Sequence, residues 1–240
     1  MNIKQLLEIA KIKPNPKFDQ YFLHEDAILN EEVDLAKIDK KDIVFEIGAG
    51  IGNLTILLSK KAPVIAVEKD YAFSHVLKNM PNVQVFLGDA LEFLESLRTK
   101  DKPSNPFNKI VSNIPYSISQ PLVLEIFRHK WDTAVLIVQK EFAEKLVSKE
   151  RLGLVMSELA DIKIVKNIPA NAFYPVAVQS SMVLFKQKKL LDDGFWSFIS
   201  ELKPNKDVSN QVKNSPKSLA KKKVHQLTLV ELKMLYKPKK

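Results

Sequence analysis

Asn113, Ile114, Pro115 and Tyr116, within Ser112-Asn113-Ile114-Pro115-Tyr116-Ser117-Ile118-Ser119, combine an amide, a rigid turn and an aromatic ring at close spacing. They follow a short apolar run, which places them in a loop at the carboxyl end of a strand. Such a group suits a planar base with an exocyclic amine. That amine is a poor nucleophile, because its lone pair is delocalised into the ring. If the Asn113 side-chain oxygen and the Ile114 backbone carbonyl accept its two hydrogens, the nitrogen is favoured in a more pyramidal form and its lone pair is aimed at an electrophilic methyl group. Tyr116 can stack on the base, and Pro115 stiffens the turn that sets the spacing. The gain is mostly orientational, so no carboxylate base is demanded and the proton can leave late to water. An ordinary Asn-x-Pro turn is the alternative reading.

Such an acceptor needs a methyl donor beside it, and residues 44 to 90 have the features of a nucleotide site. Glu46-Ile47-Gly48-Ala49-Gly50-Ile51-Gly52 sets three glycines two apart where a strand turns into a helix. Glycine there tolerates positive φ and lets backbone approach a ligand closely. The spacing differs from the dinucleotide fingerprint, whose third glycine would fall at position 53, where Asn53 stands. Glu68 ends the next strand, 20 residues after Gly48, where α/β nucleotide folds place a carboxylate on ribose hydroxyls. Asp89, in Gly88-Asp89-Ala90, ends the third strand and can accept from an adenine amine. All three sites lie at carboxyl ends of strands, the edge on which open α/β sheets bind ligands.

The elements that must hold these residues alternate. Strands are expected at 42–48, 64–68, 83–87, 109–112 and 133–138, and helices at 25–38, 53–60, 71–79, 90–97 and 120–129. This wiring predicts an α/β fold: a Rossmann-like, doubly wound and mostly parallel sheet. Helices at 141–148 and 153–161 then precede strands near 162–167 and 180–186, and 98–106 reads as a surface loop. Residues 1–24, with Pro14 and Pro16, read as a basic, extended arm, residues 25–188 as the catalytic domain, and 189–240 as a small basic domain with two short amphipathic helices at 195–199 and 227–235.

The net charge of +9 lies in the tail: residues 186–240 hold 14 lysines against five acids, and the remaining 185 residues balance 23 basic groups with 23 acidic ones. A neutral body with a basic handle fits a polyanionic partner, since lysines on phosphates gain affinity by counterion release. A solvated, disordered tail is the alternative. No disulfide or thiolate cluster is possible without cysteine, and the four histidines lack ligand spacing, so no metal is expected. No apolar run reaches the roughly 18 residues needed to span a bilayer, and the N-terminus lacks the signature of a signal peptide. A soluble, cytoplasmic monomer is expected, without membrane attachment.

These motifs together resemble the ribosomal RNA adenine dimethyltransferase family. The resemblance rests on Gln20-Tyr21-Phe22-Leu23, Glu46 to Thr55, Glu68, Gly88-Asp89-Ala90, Asn113 to Ser119, Gln139-Lys140-Glu141, Arg151-Leu152 and Pro169 to Tyr174-Pro175. It implies a class I methyltransferase that uses S-adenosylmethionine to dimethylate two adjacent adenosines near the 3′ end of small-subunit rRNA, within an immature small ribosomal subunit. It further implies that Gln20, Tyr21, Leu23, Glu46, Gly48, Gly50, Glu68, Lys69, Asp89, Ala90 and Asn113 hold the donor. By the same resemblance, Asn113, Ile114, Pro115, Tyr116 and Phe173 hold the target base. Asp19 stands where the family usually carries glycine, and Val176-Ala177-Val178-Gln179 replaces a usual Pro-Lys-Val-Asp. A large-subunit resistance methylase and a non-catalytic assembly factor on the same fold remain alternatives, and a DNA adenine methyltransferase a more distant one.

Overall fold

The computed structural model describes residues 3–15, 18–98 and 105–237. In chain order the elements are α1 (Ile3–Ile9), β1 (Phe22–Leu23), α2 (Asp26–Leu35), β2 (Val44–Ile47), α3 (Thr55–Ser59), β3 (Val64–Glu68) and α4 (Ser74–Leu77). There follow β4 (Val83–Leu87), α5 (Ala90–Arg98), β5 (Lys109–Asn113), α6 (Ser119–Ile126), β6 (Thr133–Gln139), α7 (Lys140–Leu146), α8 (Arg151–Leu159), β7 (Ala160–Ile168), β8 (Phe173–Tyr174) and β9 (Ser180–Gln187). The chain then forms α9 (Asp193–Glu201), α10 (Lys217–Ala220) and α11 (Leu229–Leu235).

The main sheet runs β4-β3-β2-β5-β6-β9-β7. The five strands from β4 to β6 are parallel, and β9 pairs antiparallel with both β6 and β7. This is the expected Rossmann-like sheet, carrying an antiparallel pair at one edge. Every residue of β2 and β3 is buried, as strands covered on both faces must be. The order reverses between β2 and β5, and that switch point opens a crevice at the carboxyl ends of β2, β3, β4 and β5.

A second, two-stranded sheet pairs β1 with β8, setting Phe22 opposite Tyr174 and Leu23 opposite Phe173. It fastens the N-terminal arm across the crevice. The arm is not extended throughout, as its prolines suggested: α1 occupies its first turns, burying Ile3 and Leu7. Ile3, Leu6, Leu7 and Ala10 recur at helical spacing, and this pattern governs the segment ahead of Pro14. The loop expected at 98–106 begins later, since Arg98 closes α5, and 99–104 lie outside the described residues.

The lysine-rich tail is also more ordered than its composition suggested. Phe195, Ile199, Leu202, Val208, Leu219, Val224, Leu232 and Leu235 are buried in the cluster that contains Phe127 and Leu159 of the body. An isolated bridge pairs Asp207 with Lys223 inside the polar stretch. Several tail lysines are neutralised locally. Lys189 and Lys233 both pair with Glu158, Lys222 pairs with Glu231, and Lys188 with Asp161.

Candidate active site

The crevice is built around the β2 turn. Gly48 and Gly50 adopt φ of 70° and 54°, in the left-handed region that favours glycine. A Cβ on Gly48 would lie 3.4 Å from Pro115 Cγ, and one on Gly50 2.9 Å from Phe22. Glycine here therefore lets the donor turn, the target loop and the arm converge. The lining includes Gln20, Tyr21, Leu23, Glu46, Gly48, Gly50, Glu68, Lys69, Asp89, Ala90, Asn113 and Pro115, so the fold gathers all eleven residues expected at the donor.

Each is held differently. Glu68 Oε2 accepts the Gly50 N–H and Oε1 the Asp70 N–H, both at 2.7 Å. Burial raises its pKa, and these N–H bonds offset part of the shift. Asp89 accepts from Lys69 Nζ and the Leu91 N–H, both at 2.9 Å, and the ammonium leads in holding its carboxyl below the usual range. Gln20 accepts the Asn15 N–H and donates to Asp70 Oδ2, each at 2.7 Å, which orients the arm. Leu23 is 1% exposed, and its carbonyl accepts from Asn53 Nδ2 at 2.5 Å. Asn53, where the dinucleotide fingerprint would place glycine, thus ties the arm to the glycine turn.

The target loop is braced from four sides. Ser112 Oγ donates to the Ile47 carbonyl at 2.6 Å, joining β5 to the end of β2. The Ser117 N–H donates to Asp19 Oδ2 at 2.8 Å. Tyr116 shares a 2.8 Å hydrogen bond with Ser180 Oγ and stacks on Tyr21 at 5.9 Å between ring centroids, 19° from parallel. The Ile114 N–H donates to the Ile137 carbonyl at 3.1 Å. Asp19 adopts φ of 53°, which explains why glycine suits that position and shows what aspartate adds, a carboxylate cap on the target loop. Against this bracing, the Asn113 side-chain oxygen is buried and accepts no hydrogen bond among the described residues. A buried, unpartnered acceptor is costly unless something else uses it.

Phe173, expected to help Tyr116 hold the base, lies on β8 opposite Leu23. It is 2% exposed, packs beside Leu23 in the second core cluster and does not line the crevice with the donor residues. Its backbone position on β8 anchors the arm. Tyr116 is half-buried, with one ring face against Tyr21. Asp19, Asn53 and Asp70 enter the site without having been marked by the sequence, although the first two occupy positions where glycine was the expected residue.

Behind the donor turn lies a pair of acids. Glu46 is 2% exposed and Glu32, from α2, is fully buried; neither Glu32 oxygen nor Glu46 Oε2 has a hydrogen-bond partner among the described residues. Burial chiefly, with charge repulsion from Glu68, pushes the Glu46 pKa up to about 8, and burial with Glu46 nearby raises that of Glu32 well above its ordinary value. A carboxyl raised in the folded state contributes stability that is fully present below its unfolded pKa near 4.5 and is lost as pH rises through the folded value, about 8 for Glu46. Glu32→Leu should therefore stabilise the fold at pH 8, by about 1–3 kcal/mol, and flatten the decline of Tm with pH. Calorimetric melts at pH 5 and pH 8 check this; an equal or lower Tm for the variant at pH 8 refutes it.

Elsewhere, His129 is held neutral, its pKa lowered to about 4 by burial and then by Arg98 and Arg128. Among the described residues no cluster of His, Asp or Glu could hold a metal, and no helix is long and apolar enough to cross a membrane.

Comparison with known proteins agrees with this geometry. The family model described as ribosomal RNA adenine dimethylase matches residues 11–235. A probable ribosomal RNA small subunit methyltransferase A from Pyrococcus abyssi is 37% identical over 195 residues, covering 77% of this chain and 69% of that protein. One of the same name from Methanococcoides burtonii is 39% identical over 168 residues, 65% of this chain and 59% of that protein. The chain thus spans between 59 and 69% of the length of these relatives. A solved dimethyladenosine transferase from Plasmodium falciparum superposes with a TM-score of 0.72 at 25% identity, covering 88% of this chain and 95% of that one. The 23S rRNA methyltransferase ErmE, with a TM-score of 0.61 at 22% identity over 89% of this chain and 99% of that one, shares the fold.

Proposed function

Because the chain belongs to the ribosomal RNA adenine dimethylase family, we propose that it methylates the exocyclic amines of two adjacent adenosines near the 3′ end of small-subunit rRNA, giving dimethyladenosine. The observation that carries this reading is the orphaned Asn113 oxygen at the wall of the crevice. It is an acceptor built to receive a donor from outside the protein. With the Ile114 carbonyl as the second acceptor, both amine hydrogens would be engaged. The nitrogen lone pair is then directed along the line on which its new bond to carbon forms.

The donor side fits S-adenosylmethionine, which supplies the electrophilic methyl group when bound. The glycine turn admits close backbone approach, Glu68 presents a carboxylate to ribose hydroxyls, and Asp89 presents one beside an adenine amine. Asn113 belongs to both halves, and Pro115 packs against Gly48 between them. Tyr116 stacks on the flipped-out base once Tyr21 yields its ring face, and Phe173 supports that arrangement from β8. S-adenosylmethionine would supply the methyl by exchanging its carbon–sulfur bond for the new carbon–nitrogen bond, and the surplus proton of the amine would leave to water. No buried carboxylate is required to take it.

We further read residues 1–24 as the arm, 25–188 as the methyltransferase domain and 189–240 as an RNA-facing appendage. The enzyme acts as a cytoplasmic monomer on immature small subunits. The test mixes purified protein, immature small subunits and methyl-labelled S-adenosylmethionine, then digests the RNA. Label in dimethyladenosine is the expected result. Binding of subunits without any label would overturn catalysis in favour of an assembly role, and label confined to large-subunit RNA would overturn the substrate.

A further inference from the structure

We propose that the cleft between α7, the start of α8 and the C-terminal helices is a nucleotide subsite, taking one unpaired residue of the RNA strand that flanks the target adenosine. This rests on the rRNA substrate proposed above. The base would lie on Trp196 and the adjoining phosphates on Lys145 and Lys149. The cleft has a volume of about 880 Å³, within the range of small-molecule sites. Gln120, in the first turn of α6 and four residues beyond Tyr116, forms part of its wall, which ties the cleft to the helix that follows the target loop.

Three observations point to a nucleotide. Trp131 is 3% exposed, edge-packed on Phe127 and donating to the Ile126 carbonyl at 2.9 Å. Trp196 differs on every count. It is half-buried, makes no ring pair with another aromatic side chain, and its indole N–H has no acceptor among the described residues. A half-buried indole that lines a cleft with its N–H unpaired suits a stacked base, because every base offers a π-face.

The second observation concerns charge. Lys189, Lys222 and Lys233 are spent on Glu158 and Glu231, whereas Lys145 and Lys149 form no ion pair among the described residues. Glu150 is the sole acid in the lining. The cation available to phosphate at this cleft therefore comes from the catalytic body rather than from the tail.

The third is that the wall is fixed in advance. The Arg151 guanidinium donates to the Ser200 and Leu202 carbonyls, both at 2.8 Å, clamping α8 to the end of α9. His225 Nδ1 lies 2.9 Å from the Pro204 carbonyl, leaving Nε2 for a ligand. A preformed site binds without first ordering its own side chains.

The test uses the full chain and a single-stranded oligoribonucleotide copying the 3′ region of small-subunit RNA. Saturating RNA should quench the Trp196 emission and shield it from acrylamide, and Trp196→Phe should abolish the quench. Lys145→Gln with Lys149→Gln should weaken binding about tenfold and lower the slope of log affinity against log salt by about 1.5, the value for two lost phosphate contacts. Lys233→Gln, removing a lysine already paired, should leave the slope unchanged. Unaltered S-adenosylmethionine affinity in each variant certifies the fold. An unchanged salt slope in the double variant, or emission indifferent to RNA, overturns the subsite. RNA that binds normally but is never methylated overturns the proposed function and leaves the subsite standing.

Discussion

Asn113→Ala is expected to slow methyl transfer by about 10²–10³-fold while changing donor affinity less than tenfold. The magnitude follows that of removing one preorganised hydrogen-bonding group aimed at a reacting centre. The asymmetry follows from the structure. The donor wall is set by the glycine turn, Glu68 and Asp89, whose hydrogen bonds do not pass through Asn113. The Asn113 oxygen, by contrast, has no work inside the folded chain, so alanine removes nothing that the fold uses. The variant should melt no lower than the wild type, since an unsatisfied buried acceptor has been deleted. Single-turnover methylation with saturating donor measures the loss, and calorimetric titration measures the affinity. Equal turnover in the variant would refute the orienting role, and a large loss of donor affinity would move Asn113 wholly to the donor side.

Glu68→Ala should do the reverse, lowering donor affinity by about 100-fold or more and reducing Tm. Its carboxylate fastens the Gly50 N–H and the Asp70 N–H, so alanine strands both donors, at a cost of roughly 1–3 kcal/mol each. The damage spreads beyond the two bonds. Asp70 also accepts from Gln20, so loosening it frees the arm that closes the crevice. Glu68→Gln retains one acceptor but turns an amide N–H₂ toward a backbone N–H, and should fall between wild type and alanine. Titration with S-adenosylmethionine and with its demethylated product reports both variants. Affinity within threefold of wild type in Glu68→Ala would show that the glycine turn holds the donor unaided.

The parallel half of the fold was legible because short apolar runs bounded by turn residues have few alternatives. Val64 to Glu68 and Val83 to Leu87 form strands over the very residues expected. Distant pairings were not. Nothing local tells Phe22 that it faces Tyr174, or β9 that it enters between β6 and β7 against the prevailing direction. The convergence of the glycine turn, Glu68 and Asp89 on one crevice could be read because glycines and strand-end acids lie where α/β folds bind nucleotides. Phe173 was expected at the target base from the family resemblance alone, and nothing in the local sequence fixes which way its ring points. Glu32 could have been found, since it follows Ile28 by four residues and so shares the apolar face of α2. A charge count also cannot show local pairing, such as that of Lys189 and Lys233 with Glu158 of α8.

The contacts of Asp19 with Ser117 and of Tyr21 with Tyr116 join segments nearly a hundred residues apart, one on each side of the crevice. They make the two half-sites a single thermodynamic unit. Whatever factor the methyl donor adds to the affinity for RNA, RNA must add to the affinity for the donor. A substitution at Asp19 is therefore expected to change the coupling between the two ligands, and that change should read equally from either side.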